Sequence, residues 1–263
     1  MSIVLITGDH PRHSHLVEAL ANRGLVSGWI CETRESFEPE PPTGLSDDLN
    51  GLFRLHFRRR AEAEEEFFGV GQTVDVPTLS VTKDALNGDR VLAFLADHAP
   101  KLVISYGCHK LSAATRNSCD AVFWNTHGGL SPEYRGVITH FWPSYFLEPQ
   151  MTGMTLHETT DFLDGGGIVF QTAGSMIRGD GLHQLAARTV REYTEQLAGK
   201  LAALDMSALP SGKTQTNSGR LFMSNDWRPE HLLLIYRHRE DRIVDQVLDG
   251  EITGRVPRLI SEI

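Results

Sequence analysis

Cysteine is scarce in this chain and widely scattered. Cys31, Cys108 and Cys119 are the three in 263 residues. An odd count with no CxxC pair argues against a disulfide framework and against a thiolate zinc site. No apolar run approaches the ~18 residues of a membrane span. The first residues, MSIVLITGD, enter a strand pattern without the basic start of a signal peptide. Positive charge is also short: 25 Lys and Arg stand against 34 Asp and Glu, for a formal net charge of −9. That balance disfavours broad binding to nucleic acid or an anionic membrane, although a local basic groove stays open. No internal repeat or low-complexity segment occurs. These absences point to a soluble, cytoplasmic protein whose partners are small molecules.

What is present is ordinary for a globular protein: 40% hydrophobic and 22% charged residues, enough to bury a substantial core. The length exceeds a typical domain of ~100–200 residues and suits one large α/β domain with an appendage. Residues 2–7 form a β-branched run ending at Gly8-Asp9, and 25–31 form another. Between them lies a helix over 15–23 with Ser14 as its cap, so the start reads as a βαβ unit. The connecting loop carries His10, Arg12, His13 and His15. The loop after a first strand offers helix N–H groups to anions, and a solvated polar loop is the equal alternative. Residues 32–50 read as irregular, 52–68 as a charged and solvated helix with Arg/Glu pairs at helical spacing, and 74–79 as a strand. A helix over 87–98 follows, then strands over 102–105 and 121–125 with a helical turn over 112–116 between them. An aromatic helix is expected over 140–147, strands over 154–158 and 168–171, and a long helix over 181–204.

The stretch FWNTHGGLSPEYRG closes one of these strands. Asn125 and His127, two apart, point to one side if the strand continues through them. A carboxamide and an imidazole opening onto a glycine turn suit a developing oxyanion, while turn hydrogen bonds are the plainer reading. NTHGGLSPEYRG followed by TGMTLHETTDFLDGGGIVFQT resembles the formyltransferases that use 10-formyltetrahydrofolate, most of all the sugar-nucleotide N-formyltransferases. The family pattern is an N-x-H block, a G-x-T-x-H segment and an L-D-x-G turn. It is matched by Asn125, His127, Pro132, Gly153, Thr155, His157, Leu163, Asp164 and Gly166. The similarity spans roughly residues 75–200, and GGLSPEY departs from the family's usual S-L-L-P.

The resemblance implies a Rossmann-like α/β fold with a mostly parallel sheet, a catalytic domain over 1–204 and a C-terminal extension over 205–263. It implies Asn125, His127 and Asp164 as the catalytic trio, with His157 structural and no metal required. It also implies 10-formyltetrahydrofolate as co-substrate, held by Tyr106, Gly107, His109, Lys110 and Leu111 with Asp161, Phe162 and Leu163. The acceptor it implies is the primary amine of a nucleotide-linked amino sugar for surface polysaccharide (lipopolysaccharide O-antigen) synthesis. Its contacts are His10, Arg12, His13, Tyr134, Arg135 and Gly136. Glycinamide ribonucleotide transformylation, formyl-folate hydrolysis and a non-catalytic folate- or nucleotide-binding protein are the alternatives. The apolar stretch 231–236 is expected to continue a helix and to cover the core or a second copy of the chain.

Overall fold

The N-terminal β-branched run becomes β1 (Ile3–Gly8), buried along its whole length at the centre of the sheet. The computed structural model describes residues 3–36, 38–69 and 74–263, so Ser2, assigned to this strand from sequence, lies outside the described residues. The order continues α1 (Pro11–Ala21), β2 (Val26–Glu32), α2 (Asp47–Phe68), β3 (Thr78–Val81), α3 (Asp89–His98), β4 (Leu102–Tyr106), α4 (Ala113–Arg116) and β5 (Val122–His127). Then follow β6 (Tyr134–Gly136), α5 (Trp142–Tyr145), β7 (Gly153–Glu158), β8 (Ile168–Ala173), α6 (Leu182–Ala203), β9 (Arg220–Phe222) and α7 (Ile243–Leu248).

The main sheet runs β3-β2-β1-β4-β5-β7-β8, with the first five strands parallel and β7 and β8 antiparallel. The chain moves outward from β1 in one direction through β2 and in the other through β4. The carboxyl ends of β1 and β4 therefore flank a crevice, the usual ligand position in such sheets. α1 and α6 bury Leu16, Leu20, Tyr193 and Leu197 against Ile3 and Leu5 on one face. α3 buries Val91 and Leu95 against Val4, Ile6 and Val103 on the other. Each such aliphatic side chain contributes about 1.5–3 kcal/mol when taken out of water. A third core joins Leu52 and Phe53 of α2 to Phe141, Trp142, Phe222, Leu232 and Ile235, and so fastens the C-terminal third to the rest.

Several boundaries differ from expectation for local reasons. α1 starts at Pro11, with His10 rather than Ser14 in the cap position, because proline suits the first helical turn. α2 starts at Asp47, where the Ser46 hydroxyl accepts from Leu49 N–H. β3 begins after Pro77, which has no N–H to give a ladder. The aromatic helix shrinks to Trp142–Tyr145, closed by Leu147 at a φ of +58°. Residues 229–231 form a 3₁₀ turn and Leu233–His238 a π-helical turn, with Leu232 and Ile235 fully buried on the third core. The free edge of β8 is covered by the chain's own later residues. Ile168 exchanges both backbone hydrogen bonds with Lys213 at 2.8 Å, and Gln171 and Val169 pair with Ile260 and Glu262. Among the described residues, no helix is long and apolar enough to cross a membrane.

Candidate active site

β4 and β5 end side by side, in register from Leu102↔Val122 to Tyr106↔Thr126. That places Ser105 next to Asn125. The Ser105 hydroxyl donates to Asn125 Oδ1 at 2.7 Å, fixing which end of the carboxamide is which. Asn125 Nδ2 is thereby left as a donor, 3.2 Å from His157 Nε2. β7 supplies His157, which lies opposite Asn125 in the antiparallel ladder.

His127 closes β5 and is buried. Its Nε2 donates to the Tyr134 carbonyl oxygen at 2.7 Å, so the lone pair of the neutral ring lies on Nδ1. Nδ1 faces Asp164 Oδ2 at 3.5 Å, and Asp164 Oδ1 lies 3.4 Å from His157 Nε2. The carboxylate thus sits between two imidazoles. Burial opposes its charge. The His127 charge, the contact with His157 and the Gly136 N–H (2.7 Å) more than offset this and bring its pKa down to about 2. His127 goes the other way. Burial lowers its pKa, only partly countered by Asp164 and the Tyr134 carbonyl, so the ring is neutral at neutral pH.

The turn that presents Asp164 is held in an unusual shape. Asp164 adopts a φ of +48°, and a Cβ on Gly166 would lie 1.9 Å from the Glu158 carbonyl oxygen. From the far C-terminal side, Gln215 Nε2 donates to the carbonyls of Asp164 (2.7 Å) and Gly166 (2.8 Å). Gln215 therefore positions the carboxylate without touching it. Gln215→Ala is expected to lower kcat about tenfold through a small displacement of Asp164. Its melting temperature should fall by only a few degrees, and steady-state kinetics beside a thermal melt would check both.

One cavity of about 570 Å³ opens over these groups. Tyr106, Gly107, His109, Lys110, Leu111, Asp161, Phe162 and Leu163, the residues expected around the folate, all line it. Lys110 donates to the Asp161 carbonyl at 3.0 Å and Arg116 pairs with the Asp161 carboxylate, so the two stretches are tied to each other. His109 is fixed by the fully buried Glu32, through its backbone N–H at 2.8 Å and its Nδ1 at 2.6 Å. Phe162, 78% exposed, leaves an apolar rim at the mouth beside Leu163.

Among the residues expected to meet the acceptor, Arg12, His13 and Gly136 line the cavity. His10 turns to the Glu35 carbonyl at 3.2 Å. The Tyr134 ring is buried against Phe222, with its hydroxyl on Glu148, and only its carbonyl reaches the site. Arg135 lies beside the Gly165 turn and outside the cavity wall. Glu64, His56, His140, His183 and Trp227, which sequence reasoning does not single out, are on the wall, as is Arg60, which it offers only as an alternative phosphate contact with Arg58 and Arg59. A signal did exist: Leu52, His56, Arg60, Glu64 and Phe68 recur every fourth residue, one stripe of α2 turned inward.

No family model matches the chain. Solved structures do. A sugar N-formyltransferase from Shewanella sp. is 18% identical, with 86% of this chain and 78% of that one covered at a TM-score of 0.54. The phosphoribosylglycinamide formyltransferase of Anaplasma phagocytophilum is 21% identical, with 84% and 96% covered at 0.54. An N-formyltransferase from Helicobacter canadensis, solved with folinic acid and dTDP-3-aminofucose, is 14% identical, with 87% and 72% covered at 0.51. This chain therefore has the formyltransferase fold, the one shared by sugar N-formyltransferases and glycinamide ribonucleotide formyltransferases.

Proposed function

We propose that the protein transfers the formyl group of 10-formyltetrahydrofolate to the primary amine of a nucleotide-linked amino sugar. The observation that carries this reading is the meeting of Asn125, His127 and Asp164 at one cavity with both folate-side stretches, on this fold. Residues 106–111 and 161–163 fit a flat heterocycle with amide-like edges, offering main-chain groups and an apolar rim. Arg12 is turned onto Glu64, so Arg135, beside the Gly165 turn, is the better partner for the diphosphate. Arg135 Nε has no partner among the described residues.

In this reading Asn125 Nδ2 donates to the formyl oxygen as charge develops there. His127 enters neutral and takes the proton of the attacking amine on Nδ1, beside Asp164, which steadies the imidazolium that forms. The same proton then goes to N10 of the departing folate, and the two steps balance. Because burial lowers the His127 pKa, the base form persists below the ordinary histidine range. kcat is therefore expected to stay level as pH falls from 8 to about 6.5 and to decline only below that. An acid limb centred above pH 7 would contradict the role.

The test is release of tetrahydrofolate from 10-formyltetrahydrofolate across dTDP-, UDP- and GDP-linked amino sugars, glycinamide ribonucleotide and a no-acceptor control. Turnover with one amino sugar alone supports the reading. Turnover without acceptor makes the protein a hydrolase, and turnover with glycinamide ribonucleotide alone replaces the sugar.

A further inference from the structure

Beyond the catalytic trio the cavity extends into a lobe between α1, α2 and α6. Glu64, 5% exposed, reaches this lobe from α2. Its Oε1 is taken: Arg12 Nη2 lies at 2.5 Å and Arg60 Nε at 3.5 Å. Its Oε2 is buried and has no hydrogen-bond partner among the described residues. A carboxylate oxygen withdrawn from water without a donor is costly, so such an atom on a residue of the cavity wall marks where a ligand's donor belongs.

The surroundings narrow the kind of donor. Phe57, Phe141 and Trp227 line the same cavity and offer flat apolar faces. His56 and His183, 3.2 Å apart, are kept neutral by burial, so they add no positive charge to hold an anion. Arg12 and Arg60 are engaged on Oε1, and a phosphate or carboxylate set against Oε2 itself would meet its negative charge. A hydroxyl-bearing ring would satisfy it while resting its C–H face on an aromatic ring. His127, His140 and Glu64 line the same cavity, so the lobe continues from the transfer site.

We propose that Glu64 selects the acceptor by accepting a hydrogen bond from a ring hydroxyl of the sugar while the sugar's amine faces His127. The proposal rests on the amino-sugar reading above and adds to it the residue and the group that are recognised. Glu64 touches the sugar and not the nucleotide.

The experiment is calorimetric titration of the wild-type protein and of Glu64→Gln with three probes: 5-formyltetrahydrofolate, dTDP and dTDP-3-aminofucose. Any better acceptor found in the turnover panel would replace the last, with its own nucleoside diphosphate as control. Glu64→Gln is expected to weaken the sugar nucleotide about 10–100-fold, the range for a hydrogen bond to a charged group. Binding of the nucleoside diphosphate and of the folate should stay within twofold. Equal loss for the diphosphate and the sugar nucleotide, or no loss for either, overturns the proposal. If Glu64→Gln does not fold, Glu64→Asp keeps the charge beside Arg12 and Arg60 and withdraws the carboxylate from the lobe. It should show the same sugar-confined loss, and a normal sugar affinity there overturns the proposal. Wild-type protein that binds the folate and no amino sugar removes the acceptor reading and this inference with it. Wild-type protein that binds no folate removes the formyl-transfer reading itself.

Discussion

His127→Ala should lower kcat by about 10²–10⁴-fold, the range for a positioned general base. The affinity for 5-formyltetrahydrofolate should change little, because the folate-side stretches 106–111 and 161–163 do not depend on the imidazole for their shape; they are joined through Lys110, Arg116 and Asp161. The substitution also leaves the Tyr134 carbonyl without its donor and takes the imidazole from beside Asp164. Some loss of stability, about 1–3 kcal/mol, should therefore accompany the loss of rate. His127→Gln separates the two effects: an amide can still donate to Tyr134 but cannot serve as the base. Stability recovered without activity is the expected result. A kcat within threefold of wild type for either variant would remove His127 from the chemistry.

The second large effect is on stability. His13, His56 and His183 are buried, and burial holds all three well below the ordinary histidine pKa, His56 at about 3. A group whose folded pKa is lowered keeps the folded state favoured only while the unfolded chain is also unprotonated. As pH falls through about 6.5 the unfolded chain takes up these protons and the folded one does not. Between pH 7 and 5.5 each histidine withdraws about 1 kcal/mol, and the three together about 3–4 kcal/mol. That is a large share of a typical 5–15 kcal/mol. Asp164 adds nothing in this window, since its lowered pKa costs stability only as pH falls below about 4. Calorimetric melts from pH 7.5 to 5 should show a steep fall. His183→Gln should flatten the slope by close to one proton, and an unchanged slope would mean that His183 is not a buried neutral base.

The fold was legible because its carriers are local. The β-branched runs at Ile3, Leu102 and Val122 and the glycine turns behind them announce buried parallel strands by composition alone. Asn125, His127 and Asp164 were legible as a resemblance in motif, and their meeting in space needed the antiparallel turn from β5 to β7 and β8. Glu64 was not legible in the same way. Arg58 and Glu62 sit in water beside it, and the charge pattern of α2 reads as a solvated helix. Only the packing of α2 against α1 and α6 decides that the stripe through His56, Arg60 and Glu64 faces inward. His157, expected to be structural, contacts both Asn125 and Asp164. Strand alternation placed it on the correct strand without revealing its partner across the ladder.

The attachment of Gln215 to the turn that presents Asp164 bears on the order in which the protein is made. A nascent chain can pair β1 to β5 early, but the face that carries Ile3 and Leu5 stays uncovered until α6 has been made. Asp164 follows β5 in the chain, and the two hydrogen bonds that hold its turn come from a residue 51 positions further along still. The scaffold for the reaction is thus built early and its carboxylate is set late. Chains stalled or cleaved before Gln215 would lack both the donor to this turn and Trp227 of the cavity wall, so under the proposed function competence for transfer would arrive near the end of synthesis.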